Sequence, residues 1–209
     1  PEMIVTLDAA WQTFEDYLAA MSKKYRNRAK TTRSKMTEIK QENWDYDTLV
    51  ANEDTIYALY DNVQKKANFR LAVLPVGYFS TMKKKFGDQF KIYVYKLDGI
   101  PIAFRSSFTT ENILEAHYIG IDYEVNKTLG LYQAILYDFV EEGISKRSKQ
   151  IYFGRTASEI KSTVGAKAHH LTCYIRHRNP VSNQLIRPFL DYLKPSEWVP
   201  RNPFKEEAV

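Results

Sequence analysis

Glu115 and His117 stand two residues apart in the run Ile113 to Asp122 (ILEAHYIGID). In an extended segment side chains alternate between faces, so both point to one side. Either group takes a proton from a nucleophile if burial brings its pKa near neutrality. The alternative is a polar surrounding, or a pair with Arg105 on the neighbouring segment. A second cluster follows Phe153-Gly154, where Arg155 and Lys161 are placed either to contact a phosphate or acidic acceptor, or to cap the turn as a salt bridge. Tyr152 and Tyr174 are candidate proton donors to a leaving group, although core packing is the commoner use of a tyrosine in a chain with 15 of them. Cys173 sits in an apolar run and reads as a buried thiol. His169 and His170 are adjacent, so on a strand they face opposite ways, which is poor metal geometry. No Gly-x-Ser-x-Gly, His-Glu-x-x-His, phosphate-loop or EF-hand pattern occurs.

The elements that position these residues are readable from period and turn chemistry. Asp8 is a candidate cap for a helix with Trp11, Phe14, Tyr17 and Leu18 on one stripe. Ser22 then opens a basic helix, and Met36 to Glu42 alternates like a short strand. Asn52 or Asp54 opens a helix with Ile56, Leu59, Tyr60 and Val63 on one face. Pro75 suits the start of another, with Tyr78, Phe79 and Met82 inward and Gly87 as its stop. Phe90 to Leu97, Asp98-Gly99, Ile100 to Thr109, Glu111-Asn112 and Ile113 to Asp122 then read as three strands and two tight turns. Gly120 marks a bulge that opens the third strand, or else a packing site. A polar loop (123–128), a long helix (129–145), a strand (150–153), a short helix (158–164), a last strand (170–176) and a helix (181–193) follow. The expectation is one domain over 1–194, with a helical start at 8–35, a meander at 90–122, a crossover helix at 129–145, C-terminal elements at 150–193, and an irregular tail at 195–209. The fold class is α/β with a mixed sheet, an antiparallel meander followed by a parallel crossover. In such sheets ligands sit beyond the carboxyl ends of the strands.

Composition narrows the function class. The chain has 209 residues, 44% hydrophobic and 26% charged, which is an ordinary globular make-up. One cysteine excludes a disulfide framework or a thiolate cluster built within the chain. No stretch approaches the roughly 18 to 20 apolar residues of a membrane span. The net charge is +5, but Ser22 to Lys40 alone holds eight cations (Lys23, Lys24, Arg26, Arg28, Lys30, Arg33, Lys35, Lys40) against Glu38. That local +7 leaves −2 for the remainder, so one element is positive rather than the whole surface. A solvated helix face and a phosphate-contacting element are both open, and membrane-surface binding is a third reading that lacks the bulky apolar face such helices need. Tyr25 is the one ring inside the run, too few for a single-strand stacking platform.

The order of elements resembles the GNAT acyltransferase superfamily. The string from Phe14 to Arg26 (FEDYLAAMSKKYR), followed by the basic helix, is similar to the Fem-like, peptidoglycan-biosynthesis-associated branch. So is Phe153-Gly154-Arg155-Thr156 followed by Glu159-Ile160-Lys161-Ser162 and Gly165. The resemblance implies acyl transfer from acyl-CoA, acetyl-CoA first, or from aminoacyl-tRNA, to a small-molecule or peptide amine. It implies that pantetheine pairs with the third strand near Ile119 and Ile121, and that Glu115 or His117 removes the proton. It places the donor diphosphate at Lys127, Thr128, Leu129 and Gly130, with Arg155 and Lys161 as further anchors. Helix starts suit that task because their free N–H groups carry partial positive charge. This stretch has one glycine where the superfamily signature has two. With tRNA as donor, Lys23, Lys24, Arg26, Arg28 and Lys30 would hold the RNA. No metal is implied. A bacterial, cytoplasmic protein is expected, with a second GNAT-like domain ahead of Pro1 or a homodimer. A domain of this shape that has lost catalysis and serves in binding or assembly is the rival from another class.

Overall fold

The computed structural model describes residues 1–66, 72–172, 174, 176–180, 182–184 and 198–205. A seven-stranded mixed sheet forms its middle layer, in the order β2 (Lys40–Asn43), β3 (Phe90–Leu97), β4 (Ile100–Thr109), β5 (Ile113–Ile121), β6 (Gln150–Tyr152), β1 (Glu2–Thr6), β7 (Lys167–His169). The meander is β3 (Phe90–Leu97), β4 (Ile100–Thr109) and β5 (Ile113–Ile121), antiparallel throughout. Strand β5 then pairs in parallel with β6 (Gln150–Tyr152). The crossover between them carries α6 (Tyr123–Leu129) and the long α7 (Leu131–Ser145).

One sheet face is covered by α1 (Phe14–Ala20), α2 (Lys23–Ser34) and α7, which bury Tyr17, Leu18, Ala29, Ile135, Phe139 and Val140 with the sheet's Leu114, Ile121 and Ile151. The other is covered by α3 (Tyr46–Ala51), α4 (Glu53–Lys66) and α5 (Tyr78–Phe86), which bury Leu49, Ile56, Tyr60 and Phe79 against Phe90, Ile92 and Phe104. At Gly120 the backbone of α4 crosses β5 so closely that a Cβ would lie 2.7 Å from the Leu59 carbonyl carbon and strike the Phe104 ring. Gly120 is therefore the packing site and not the bulge.

Several elements depart from the sequence expectation. The first strand, β1 (Glu2–Thr6), lies between β6 and β7 and was not foreseen. Its central Met3, Ile4 and Val5 are all buried without alternation, because both faces are covered. Helix α1 is capped by Thr13 and not by Asp8; Thr13 and Asp16 form a reciprocal capping box, while Asp8 accepts the Ala10 amide in a turn. Strand β2 is Lys40–Asn43, since the Met36 amide still donates to Arg33 in the turn after α2. Helix α3 was missed, although Asp45 caps it by accepting from the Thr48 amide. The polar loop at 123–128 is helical because the Asp122 carboxylate caps it. The last strand is β7 (Lys167–His169), three residues earlier than expected, and residues 170–172, 174 and 176 have no strand. Cys173 and all but 182–184 of the expected 181–193 helix lie outside the described residues.

Residues 198–205 dock onto the body. The Ser22 amide donates to Pro203, the Lys205 amide to Ala20, and Phe204 packs on Trp11 and Tyr17. Beneath α7 lies a buried polar network: Arg105 pairs with Glu142, Glu142 with Lys146 at 2.8 Å, and Tyr95 donates to Asp138 at 2.5 Å. Arg33 of the basic run closes this network on Asp138 at 2.5 Å and Glu141 at 2.6 Å. Part of the sequence's positive charge is thus consumed by structure.

Candidate functional site

The parallel ladder between β5 and β6 covers only Ile113–Glu115 opposite Gln150–Tyr152. Beyond it the strands part. The chain after Tyr152 turns to β1, where the Phe153 amide donates to Met3 and the Met3 amide to Gly154. Strand β5 instead follows β4, with a bulge: Arg105 pairs with Ile119 but Ser107 with Ala116, so His117 and Tyr118 together oppose Ser106. The separation begins at Ala116, four residues before Gly120. It leaves backbone groups of Ala116 to Ile121 that face away from β4 without a strand partner.

A cavity of about 1580 Å³ fills this opening. Strand β5 supplies Ala116, His117, Tyr118 and Ile119; α7 supplies Tyr132, Ile135, Leu136 and Phe139. Its far wall is the Phe153–Lys161 segment, which runs into α8 (Ser158–Ser162). Six cationic side chains line it, Lys24 and Arg28 from α2, Lys66 from α4, then Arg155, Lys161 and Arg201. The one carboxylate on the described lining, Glu159, is paired with Arg201 at 2.6 Å. The mouth is therefore strongly positive and its inner wall apolar.

His117 sits in an aromatic cage of Phe90, Phe108, Tyr118 and Tyr78. The Tyr118 amide donates to Ser106 Oγ, and the Ser106 hydroxyl donates back to the Tyr118 carbonyl, each at 3.1 Å. Ser106 has one proton, so His117 carries its own on Nδ1, 3.4 Å from Ser106 Oγ. Nε2 then accepts from the Tyr78 hydroxyl at 3.1 Å. Burial pushes the imidazole down to about 4, which keeps it neutral at physiological pH. Burial also raises the Tyr78 phenol.

Lys161 is 95% buried, and its Nζ donates to the Phe153 carbonyl at 2.5 Å. With a carbonyl as its hydrogen-bond acceptor, burial lowers its pKa to about 8. Gly154, at a φ of 77°, turns the chain above it. Arg155 is exposed on the rim.

The structure separates the other sequence candidates from this cavity. Glu115 is exposed at the last paired position of β5, and the bulge alters the alternation after it. Neither it nor His117 pairs with Arg105, which belongs to Glu142 on the opposite face. Ile121 is fully buried in the core. Lys127 is held by Glu124 at 2.8 Å, and the Thr128 carbonyl accepts from Lys35. Leu129 packs on the core, and Gly130 is the left-handed joint between α6 and α7. As a helix-start cradle for a diphosphate, this stretch has several of its amides already used. Asp122 accepts from Glu124 and Val125, and Asn126 Oδ1 accepts the Tyr132 amide at 3.0 Å. The cations that reach the cavity without a carboxylate or carbonyl partner among the described residues are Lys24, Arg28, Lys66 and Arg155. Tyr78, Ser106 and Tyr118 were missed, and Asp122 followed by Glu124 was the sequence signal for the filled helix start.

Among the described residues no group of three or more His, Cys, Asp or Glu converges as a metal site, and no helix is long and apolar enough to cross a membrane.

Comparison with known proteins agrees with this geometry. No curated protein sequence matches significantly. Among solved structures, FemX aligns over 79% of this chain and 58% of its own, with a TM-score of 0.61 and 10% identity. A conserved protein of unknown function from Bacteroides thetaiotaomicron VPI-5482 aligns over 78% of this chain and 55% of its own, with a TM-score of 0.52 and 11% identity. At those identities the likeness is one of fold, and the chain spans little more than half the length of either protein. The sequence itself matches the family described as Acetyltransferase (GNAT) domain over residues 23–162. A match over more than half of the chain, on a sheet that splays where that family's fold was expected to open, makes this chain a member of the GNAT acetyltransferase family.

Proposed function

We propose that this domain is an active N-acyltransferase that moves an acyl group from acyl-CoA to an amine at the opening between β5 and β6. The observation that carries the reading is the coincidence, in one cavity, of unladdered β5 backbone, the bulge at His117 and Tyr118, and the buried Lys161. The amine nitrogen attacks the thioester carbonyl carbon, negative charge develops on its oxygen, and collapse breaks the C–S bond so that CoA leaves as a thiolate that takes up the proton the amine loses. Backbone N–H groups of the splayed stretch and the Lys161 ammonium are the donors available to that oxygen. The attacking amine must lose a proton. Burial holds His117 at about 4 rather than near neutrality, so it is a weak resting base, and its contact with the Tyr78 hydroxyl on the α5 side is a path to pass the proton on rather than a place to keep it. The acid-poor mouth suits a polyanionic carrier, with Lys24, Arg28 and Arg155 on its phosphates.

Aminoacyl-tRNA is the second reading. Two of the α2 cations face the cavity, and several of the helix-start amides that would cradle a diphosphate are already used. A thermal melt with CoA, acetyl-CoA and tRNA, followed by an acyl-transfer assay on an amine panel, separates these. Stabilisation by CoA and thiol release that depends on the amine support the first reading. Stabilisation by tRNA alone supports the second. No shift and no transfer with either donor leaves a GNAT-fold binding domain.

A further inference from the structure

We propose, building on the acyl-transfer reading, that the chamber between β5, α7 and α8 takes an uncharged, apolar acyl chain longer than acetyl, carried on an anionic head. Its accessible apolar wall is Ala116, Ile119, Tyr132, Ile160 and Trp198, all half-buried, with the buried Ile135, Phe139 and Phe153 packed behind them. Ala116 is the small residue at the point where the strands part, so the space beside it is open to a ligand. A methyl group covers little of such a wall, and each further methylene buried on it raises affinity by about fourfold.

Charge argues in the same direction. An aminoacyl group brings an ammonium one carbon away from the reacting carbonyl. That ammonium would sit near Lys161, and the described lining offers no free carboxylate to receive it, since Glu159 is held by Arg201. A cationic rim over an apolar floor matches an amphiphile with an anionic head and a neutral tail.

The test is titration calorimetry on the full chain with CoA and the non-hydrolysable ketone analogues of acetyl-, octanoyl- and glycyl-CoA. Octanoyl should bind at least tenfold tighter than acetyl, and glycyl no tighter than CoA. Ala116→Phe should remove the octanoyl advantage over acetyl. The wild-type chain-length series decides the matter even where that variant does not fold. Equal affinities for CoA, acetyl and octanoyl overturn the chamber but leave acyl-CoA as donor. A glycyl preference overturns the proposal and favours an aminoacyl donor. Binding of tRNA with no binding of any CoA compound overturns both the proposal and the acyl-CoA reading.

Discussion

An ammonium buried at the end of a sheet, with a carbonyl as its hydrogen-bond acceptor, is costly to keep charged. Lys161 shows this: the folded protein releases its proton near pH 8, against 10.5 for an ordinary lysine. Between those values the unfolded chain holds the proton and the folded chain does not, so stability rises with pH there. At pH 7 the folded state bears the cost, and Lys161→Met should raise stability by about 1–3 kcal/mol in urea titrations. The same variant should lower kcat/KM for acyl transfer by about 100- to 1000-fold. The wild-type rate should fall above about pH 8 as the ammonium is lost, and Lys161→Arg should abolish that fall. For His117 the depressed pKa works at the acid end. Its stabilising share is complete above pH 6.5 and is lost as pH falls toward about 4, and His117→Phe should flatten the unfolding midpoint across that window. His117 and Lys161 were legible in the sequence as chemistry-bearing types. What strand alternation could not show was the bulge itself, or that Glu115 stays exposed while His117 is enclosed by rings.

Strands that read clearly did so because their side chains alternate between two covered faces and their turns are short. The boundaries of β3 and β4 match the pattern residue for residue. Short helices such as α3 and α6 hid because six or seven residues give barely two turns of periodicity; only their caps, Asp45 and Asp122, betray them. Helix α7 is nearly all buried, so its polar residues must find partners on the sheet, and Arg105 with Glu142 is the result. Removing one partner strands a buried charge: Arg105→Met should cost about 3–5 kcal/mol in denaturant titrations. The double variant Arg105→Met/Glu142→Leu should lose less than the sum of the two single variants.

Over the whole molecule, the excess of +5 is sorted by position rather than spread. Arg33 is tied to α7, whereas Lys24 and Arg28, nearer the start of the same helix, face the cavity. Reversing Lys24 and Arg28 to Glu should weaken polyanion binding and flatten its salt dependence, whereas reversing Lys23 and Lys30, which lie off the cavity lining, should change it little. Net composition announced a basic element but not this division, because helical register against α7 decides which cations are consumed. The claim on which the site depends is that the donor carbonyl lies between the parted strands β5 and β6. A crystal structure of the chain with the ketone analogue of acetyl-CoA tests it most directly. The expected result is the ketone oxygen within hydrogen-bond reach of Lys161 Nζ or of a backbone amide between Ala116 and Ile119, with the phosphates on Lys24, Arg28 or Arg155. A ligand bound elsewhere, with the gap between the strands closed by side chains, would contradict it.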